Sequence, residues 1–298
     1  MQRDNARIAL VQALDHGAAA VSANLEEALR NIEDAARQGA ELVCFPEGYP
    51  GPFSREASGM DVPAAIREAA RRAGVYVVAS RLEAAPPSSA HYLVAELIDR
   101  TGEVVGAYRR CSPAGPVEYE PWNFTLIGGD VAPPVFDTSV GKIAVLFCSE
   151  LFVPELARVV MHRGAEILLN PTCRPAAARI STWQATATAR GIENLFYVGV
   201  CQRTQEAEPG VGFVAGPQGP VAAVERGPSL LLVDLDLGPV RAFRPNGDVA
   251  ALVNGPCGLP CAGTCFLPEK GSPSPTVESH AKRAILRELA GREREAWQ

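Results

Sequence analysis

Lys142-Ile-Ala-Val-Leu-Phe-Cys148-Ser-Glu-Leu-Phe-Val-Pro154-Glu155 holds the transition that decides the architecture. A β-branched and aliphatic run ends on Cys148, a short linker follows, and a helix opens with Pro154 and Glu155. Those two residue types suit a first helical turn, because proline has no N–H to lose there and a carboxylate meets the positive end of the dipole. One thiol therefore sits at a strand-to-helix turn, where its sulfur can be exposed while the backbone stays fixed. Backbone amides near such a turn can face an oxyanion, and local positive potential favours a thiolate. The layout suits a nucleophile.

Working outward, strands and helices alternate on both sides of this stretch. Arg7–Gln12 reads as a strand, followed by a helical stripe of Val21, Leu25, Ala28, Leu29, Ile32, Ala35 and Ala36 that Gly39 stops. Glu41–Pro46 is a second strand, Val62–Ala73 a helix and Val75–Ser80 a strand. His91–Asp99 and Glu103–Arg110 flank Asp99-Arg-Thr-Gly102 as a hairpin. Beyond the helix Pro154–Arg163, strands are expected at Glu166–Asn170, Phe196–Gln202, Gly212–Ala215, Val221–Val224 and Leu230–Leu237, with a helix over Thr182–Asn194. This alternation predicts a mixed α/β domain over 1–245 with no internal linker. Residues 246–298 read as a C-terminal extension, a Cys/Gly/Pro-rich loop followed by a charged helix.

Composition narrows the function classes. Net charge is −6 and no long basic run occurs, which argues against nucleic acid or an anionic membrane as partner. No apolar run approaches the ~18–20 residues that cross a bilayer. Met1–Ile8 is polar and lacks the apolar centre of a signal peptide, so a cytoplasmic protein is expected. Cys44, Cys148 and Cys201 lie in or at the end of apolar strand-like runs, as reduced cysteines do. Cys257, Cys261 and Cys265 offer three thiolates within nine residues. Their spacing fits neither a zinc knuckle nor a ferredoxin run, and we expect no metal there.

Glu47, Arg110 and Cys148 share one placement, each just past the end of a predicted strand. Strand ends of α/β sheets converge on a crevice, so residues far apart in sequence meet there. A carboxylate, a cation and a thiol supply a base, a charge stabiliser and a nucleophile. None of the four histidines, His16, His91, His162 and His280, lies in a nucleophile-orienting motif, which disfavours a Cys–His protease.

Several motifs in order then carry a likeness: Phe45-Pro-Glu47, Gly106-Ala-Tyr-Arg-Arg110, Phe147–Glu155, Arg163–Pro171, Ala189–Asn194 and Gly212–Gly219. From about Arg7 to Leu237 the chain resembles the nitrilase superfamily of carbon–nitrogen hydrolases. The resemblance implies a four-layer α-β-β-α sandwich that dimerises or forms a larger homo-oligomer. It also implies hydrolysis of a small amide or N-carbamoyl compound with no cofactor. The family's triad carries over to Glu47 as general base and Cys148 as nucleophile, while the lysine position falls on Arg110. That is a departure, since a planar guanidinium is not equivalent to an ammonium in a tight site. On this reading lysine at position 110 would preserve or raise activity. The spacing after Arg110 is nearest the aliphatic amidase branch and places a second carboxylate at Glu118, with Glu120 a competitor. Tyr49, Trp122 and Cys173 are expected to line the pocket, with no metal among the site residues. Glu150, Glu155 and Arg158 are expected to serve structure, Arg158 by pairing with a carboxylate. Two alternatives stay open: an acyl transferase using the same thioester, and a binding or scaffold protein whose site the arginine has closed.

Overall fold

A computed structural model of the chain describes residues 4–17, 20–51, 62–88, 90–112, 126–173, 179–204, 212–224 and 226–242. The expected extension over 246–298, with Cys257, Cys261 and Cys265, lies outside the described residues, as do Glu118, Glu120 and Trp122.

Strands β1 (Asn5–Leu14), β2 (Leu42–Cys44), β3 (Tyr76–Ala84), β4 (His91–Ile98) and β5 (Val104–Arg109) build the first sheet. Helices α1 (Val21–Arg37) and α2 (Val62–Ala73) connect its parallel members β1, β2 and β3. The second sheet contains β6 (Val135–Thr138), β7 (Gly141–Val145), β8 (Ile167–Thr172), β9 (Tyr197–Thr204), β10 (Phe213–Gly216) and β11 (Gly219–Ala223). Helices α3 (Pro154–His162) and α4 (Ile180–Asn194) make its parallel crossovers. β12 (Ser229–Asp236) returns to pair antiparallel with β1, and α5 (Leu237–Ala242) follows. Each sheet thus has six strands, ordered β5-β4-β3-β2-β1-β12 and β6-β7-β8-β9-β10-β11. A short parallel contact of Ala13 and Leu14 with Arg203 and Thr204 joins them.

The period of two along β1 explains the layering. Ile8 and Leu10 enter a core shared with Cys44, Val78, Val145, Leu169 and Cys201, which fills the space between the sheets. Ala9, Val11 and Ala13 enter a second core with Leu25, Ala28 and Ile32 of α1 and Ile66, Ala69 and Ala70 of α2. On the far side α4 crosses so closely that a Cβ on Gly191 would meet the Gly216 carbonyl oxygen at 3.0 Å. The result is the expected four-layer α-β-β-α sandwich.

One expectation is refined and two elements are added. The linker after Cys148 is a 3₁₀ turn, Cys148–Phe152. β6 had no counterpart in the reading of the sequence; it pairs with β7 through a tight turn in which Thr138 Oγ1 accepts from the Val140 and Gly141 N–H groups. α5, directly after β12, was likewise unanticipated.

Candidate active site

Each of the three candidate residues lies at a strand end: Glu47 three residues beyond β2, Arg110 directly after β5, and Cys148 three residues beyond β7. β2 and β5 belong to one sheet and β7 to the other, so the site straddles the inter-sheet seam. The loop bearing Glu47 is fixed by Ser80, whose Oγ accepts from the Gly48 N–H at 2.8 Å and donates to the Pro46 carbonyl at 3.2 Å.

Cys148 has a φ of 45°, the left-handed region that a residue with a Cβ adopts only under constraint. The constraint is visible. Asn170, fully buried within β8, donates from Nδ2 to the carbonyls of Leu146 at 2.6 Å and Cys148 at 3.2 Å. Thr172 Oγ1 donates to Asn170 Oδ1 at 2.8 Å and so orients the amide. On the other side of the turn, Glu150 reaches back to accept the Phe147 N–H at 2.8 Å, one half of a capping box.

Glu150 also ties the turn to the Arg110 segment. Its Oε1 accepts from the Tyr108 hydroxyl at 2.8 Å and the Ser112 N–H at 2.9 Å, and the Tyr108 ring stacks on Phe147 with centroids 6.0 Å apart. Its structural role is as expected, although the sequence did not indicate that it joins two catalytic candidates. Arg158, expected to pair with a carboxylate, instead donates to the Glu193 carbonyl at 3.0 Å.

The centre is a buried ion pair. Arg110 is 2% and Glu47 3% exposed, and Arg110 Nη1 donates to Glu47 Oε1 at 2.8 Å. The other two guanidinium nitrogens reach elsewhere: Nη2 to Ser149 Oγ at 2.7 Å and Nε to the Ser112 carbonyl at 3.2 Å. The second oxygen of Glu47 accepts the Cys173 N–H at 3.1 Å. Cys173 Sγ lies 3.7 Å from Cys148 Sγ. A Glu47 oxygen and the two sulfurs all fall within 4.8 Å of one another.

The electrostatics keep the Cys148 proton on. The contact with the Cys173 thiol, burial, and the negative charge of Glu47 all push Cys148 well above the ordinary thiol range, with Arg110 opposing them. A thiol beside a carboxylate held by a cation is an arrangement that can serve as a nucleophile with its general base.

Of the residues expected to line the pocket, Cys173 lies against Cys148, whereas Tyr49 does not belong with them. Tyr49 is 1% exposed, stacks on Phe45 in the core between sheet and helices, and donates to the Asn24 carbonyl of α1 at 2.9 Å. Burial pushes its phenol far above the usual range. Two residues apart on an irregular loop, Glu47 and Tyr49 serve opposite sides of the first sheet. Ser80, Ser149 and Asn170 went unassigned in the sequence; a polar residue that follows an apolar run, as Asn170 follows Ile167–Leu169, is the signal that marks such an anchor.

Comparison with known proteins places this geometry. The profile of the carbon–nitrogen hydrolase family matches residues 7–245. An N-carbamoylputrescine amidase of Arabidopsis thaliana is 26% identical over 262 residues, covering 77% of this chain and 86% of its own length. A deaminated glutathione amidase of Synechocystis is 31% identical over 192 residues, covering 59% of this chain and 70% of that protein. Among solved structures, a variant of the amidase from Nesterenkonia sp. AN1, with the acetamide moiety of fluoroacetamide added covalently at its active-site cysteine, superposes with a TM-score of 0.68. It is 27% identical and covers 80% of this chain and 94% of its own. With the profile spanning most of its length and the sandwich shared with a solved amidase, this chain belongs to the carbon–nitrogen hydrolase family.

Proposed function

We propose that the protein hydrolyses the C–N bond of a small amide or N-carbamoyl compound through an acyl-enzyme on Cys148. The observation that carries the reading is the meeting of Cys148 Sγ with the Glu47 carboxylate, itself held by Arg110 in a buried pair. Cys148 attacks the carbonyl carbon as Glu47 takes the thiol proton, giving a tetrahedral oxyanion. Collapse breaks the C–N bond, and Glu47 returns the proton to the departing amine. Water, deprotonated by Glu47, then attacks the thioester; collapse releases the acid and the Cys148 thiolate, to which Glu47 returns the proton. Charge is conserved at each step without a redox change. Arg110 is the positioning residue for Glu47 in this scheme, because its three nitrogens point at Glu47, Ser149 and Ser112. Glu118 and Trp122 remain candidates for substrate positioning by resemblance alone.

The scaffold reading requires the guanidinium to lock bidentately on Glu47 or Glu118 and fill the site. On Glu47 the bond is from Nη1 at 2.8 Å, and Glu118 lies outside the described residues. The names of the relatives favour an amide or carbamoyl substrate, and the covalent adduct on the related amidase favours a nucleophilic cysteine at this place in the fold.

We further infer a cytoplasmic homodimer or larger homo-oligomer. Five described cysteines are free, as a reducing compartment allows, and Ile192 on α4 is 45% exposed, an apolar contact available to a second copy. No helix among the described residues is long and apolar enough to cross a membrane.

The test is ammonia release from a panel of small amides and carbamoyl amino acids, with intact-mass detection of an acyl adduct. We expect turnover and an adduct that Cys148→Ala abolishes. Release of the acyl group mainly onto an added amine, with saturation in that amine and little free acid, would identify the transferase, and the absence of both turnover and adduct would overturn the reading.

A further inference from the structure

We propose that Cys148, Cys173 and Glu47 form a binding site for zinc, and that zinc is thereby a reversible inhibitor acting through Cys173. Among the described residues this is the one trio of metal-ligating side chains whose donor atoms lie within 4.8 Å of one another. The spacing of the sulfurs is the telling feature. A tetrahedral zinc with Zn–S bonds of about 2.3 Å holds two thiolate sulfurs about 3.8 Å apart, and Cys148 Sγ and Cys173 Sγ are 3.7 Å apart. A carboxylate oxygen completes the three-ligand set typical of zinc sites that keep a fourth, exchangeable position. A tetrahedral S···O edge is about 3.6 Å, so the carboxylate closes by roughly an ångström at most while the sulfurs stay in place.

Charge also balances. With zinc bound and the two thiol protons released to water, two thiolates, one carboxylate, zinc and Arg110 sum to zero. The buried Arg110–Glu47 pair is what makes this neutral. A second pair of close sulfurs, Cys44 and Cys201 at 3.5 Å, forms no such trio with a described carboxylate and is fully buried in the core. Zinc at the first pair removes the attacking sulfur and the base together. That effect on turnover rests on the reading of Cys148 as nucleophile; the binding itself does not.

The experiment uses the reduced full-length protein under anaerobic conditions, carrying Cys257→Ser, Cys261→Ser and Cys265→Ser to remove the three clustered thiols. Cobalt(II) is the probe, since its thiolate charge-transfer band counts bound sulfurs, and zinc is then titrated against it. We expect one cobalt bound by two thiolates, displaced by one equivalent of zinc. The band should halve in Cys173→Ala and in Cys148→Ala, with zinc affinity weakened on the order of 10²-fold. Cys173→Ser, with a weaker ligand of similar size, serves where the alanine variant does not fold. Zinc should suppress amide hydrolysis, a chelator should restore it, and Cys173→Ala, relative to its own metal-free rate, should need on the order of 10²-fold more zinc. Absence of the band, or a band unchanged in both cysteine variants, overturns the proposal. Metal binding at both thiols in a protein with no hydrolytic activity would leave the site standing and sink the hydrolase reading; hydrolysis without the band would do the reverse.

Discussion

At the scale of single residues, Arg110 decides how this site differs from a lysine-bearing one. Its three nitrogens serve three acceptors on three segments: Glu47, Ser149 beside the nucleophile, and the Ser112 carbonyl. Lysine has one nitrogen on a flexible stem and cannot span that set. The geometry therefore reverses the expectation drawn from the resemblance alone. Arg110→Lys should lose stability by about 2 kcal/mol and lower kcat by about 10²-fold through a mispositioned base. Urea denaturation and steady-state kinetics measure the two effects, and activity at or above wild type would show that an ammonium suffices. The convergence of Glu47, Arg110 and Cys148 was legible because strand ends meet in α/β folds. Which way each side chain points on a loop was not. Tyr49 illustrates this: two positions from Glu47, it turns into α1, because the partner that fixes it is a backbone carbonyl at Asn24.

At the scale of elements, the clearest readings were those with strong local signals. α2 occupies Val62–Ala73 as expected, and α3 opens on Pro154 as its first-turn chemistry requires. The elements missed were those without such signals. β6 is four residues long, directly follows Pro133 and Pro134, and exists because β7 offers it a ladder. The 3₁₀ turn at Cys148 has no hydrophobic period; long-range hydrogen bonds from Asn170 hold it together with the local bond from the Phe147 N–H to Glu150. Glu150 supplies the test of this view. Oε1 takes the Tyr108 and Ser112 donors while Oε2 takes Phe147 N–H. In Glu150→Gln one of those donors must face an amide NH₂, leaving a buried donor unsatisfied at a cost of about 1–3 kcal/mol. We expect a lowered urea midpoint together with reduced activity, since the turn bearing Cys148 and the segment bearing Arg110 lose their common anchor. An unchanged midpoint would mean that the 3₁₀ turn is held by Asn170 alone.

At the scale of the whole molecule, the site exists because two sheets stand close enough for strand ends of one to reach the other. Tyr108 on Phe147 and Cys44 beside Cys201 span that gap. Gly106 in β5 shows how tight it is, because a Cβ there would fall 2.3 Å from the Phe136 ring of β6. A ring edge cannot fold away as a long flexible chain does, so Gly106→Ala must push β5 from β6 or force Phe136 off its rotamer, costing about 1–3 kcal/mol. Arg110 lies four residues along from Gly106, so the displacement reaches the site. We expect Gly106→Ala to reduce both stability and kcat. Phe136→Leu removes the clash at its source, and the double variant should be more stable than the sum of the single effects predicts, because contacting residues couple. Denaturation of the four proteins in the cycle measures that coupling. Strict additivity would mean that the sheet spacing at β5 is not what Gly106 protects, and the glycine would then need a different explanation.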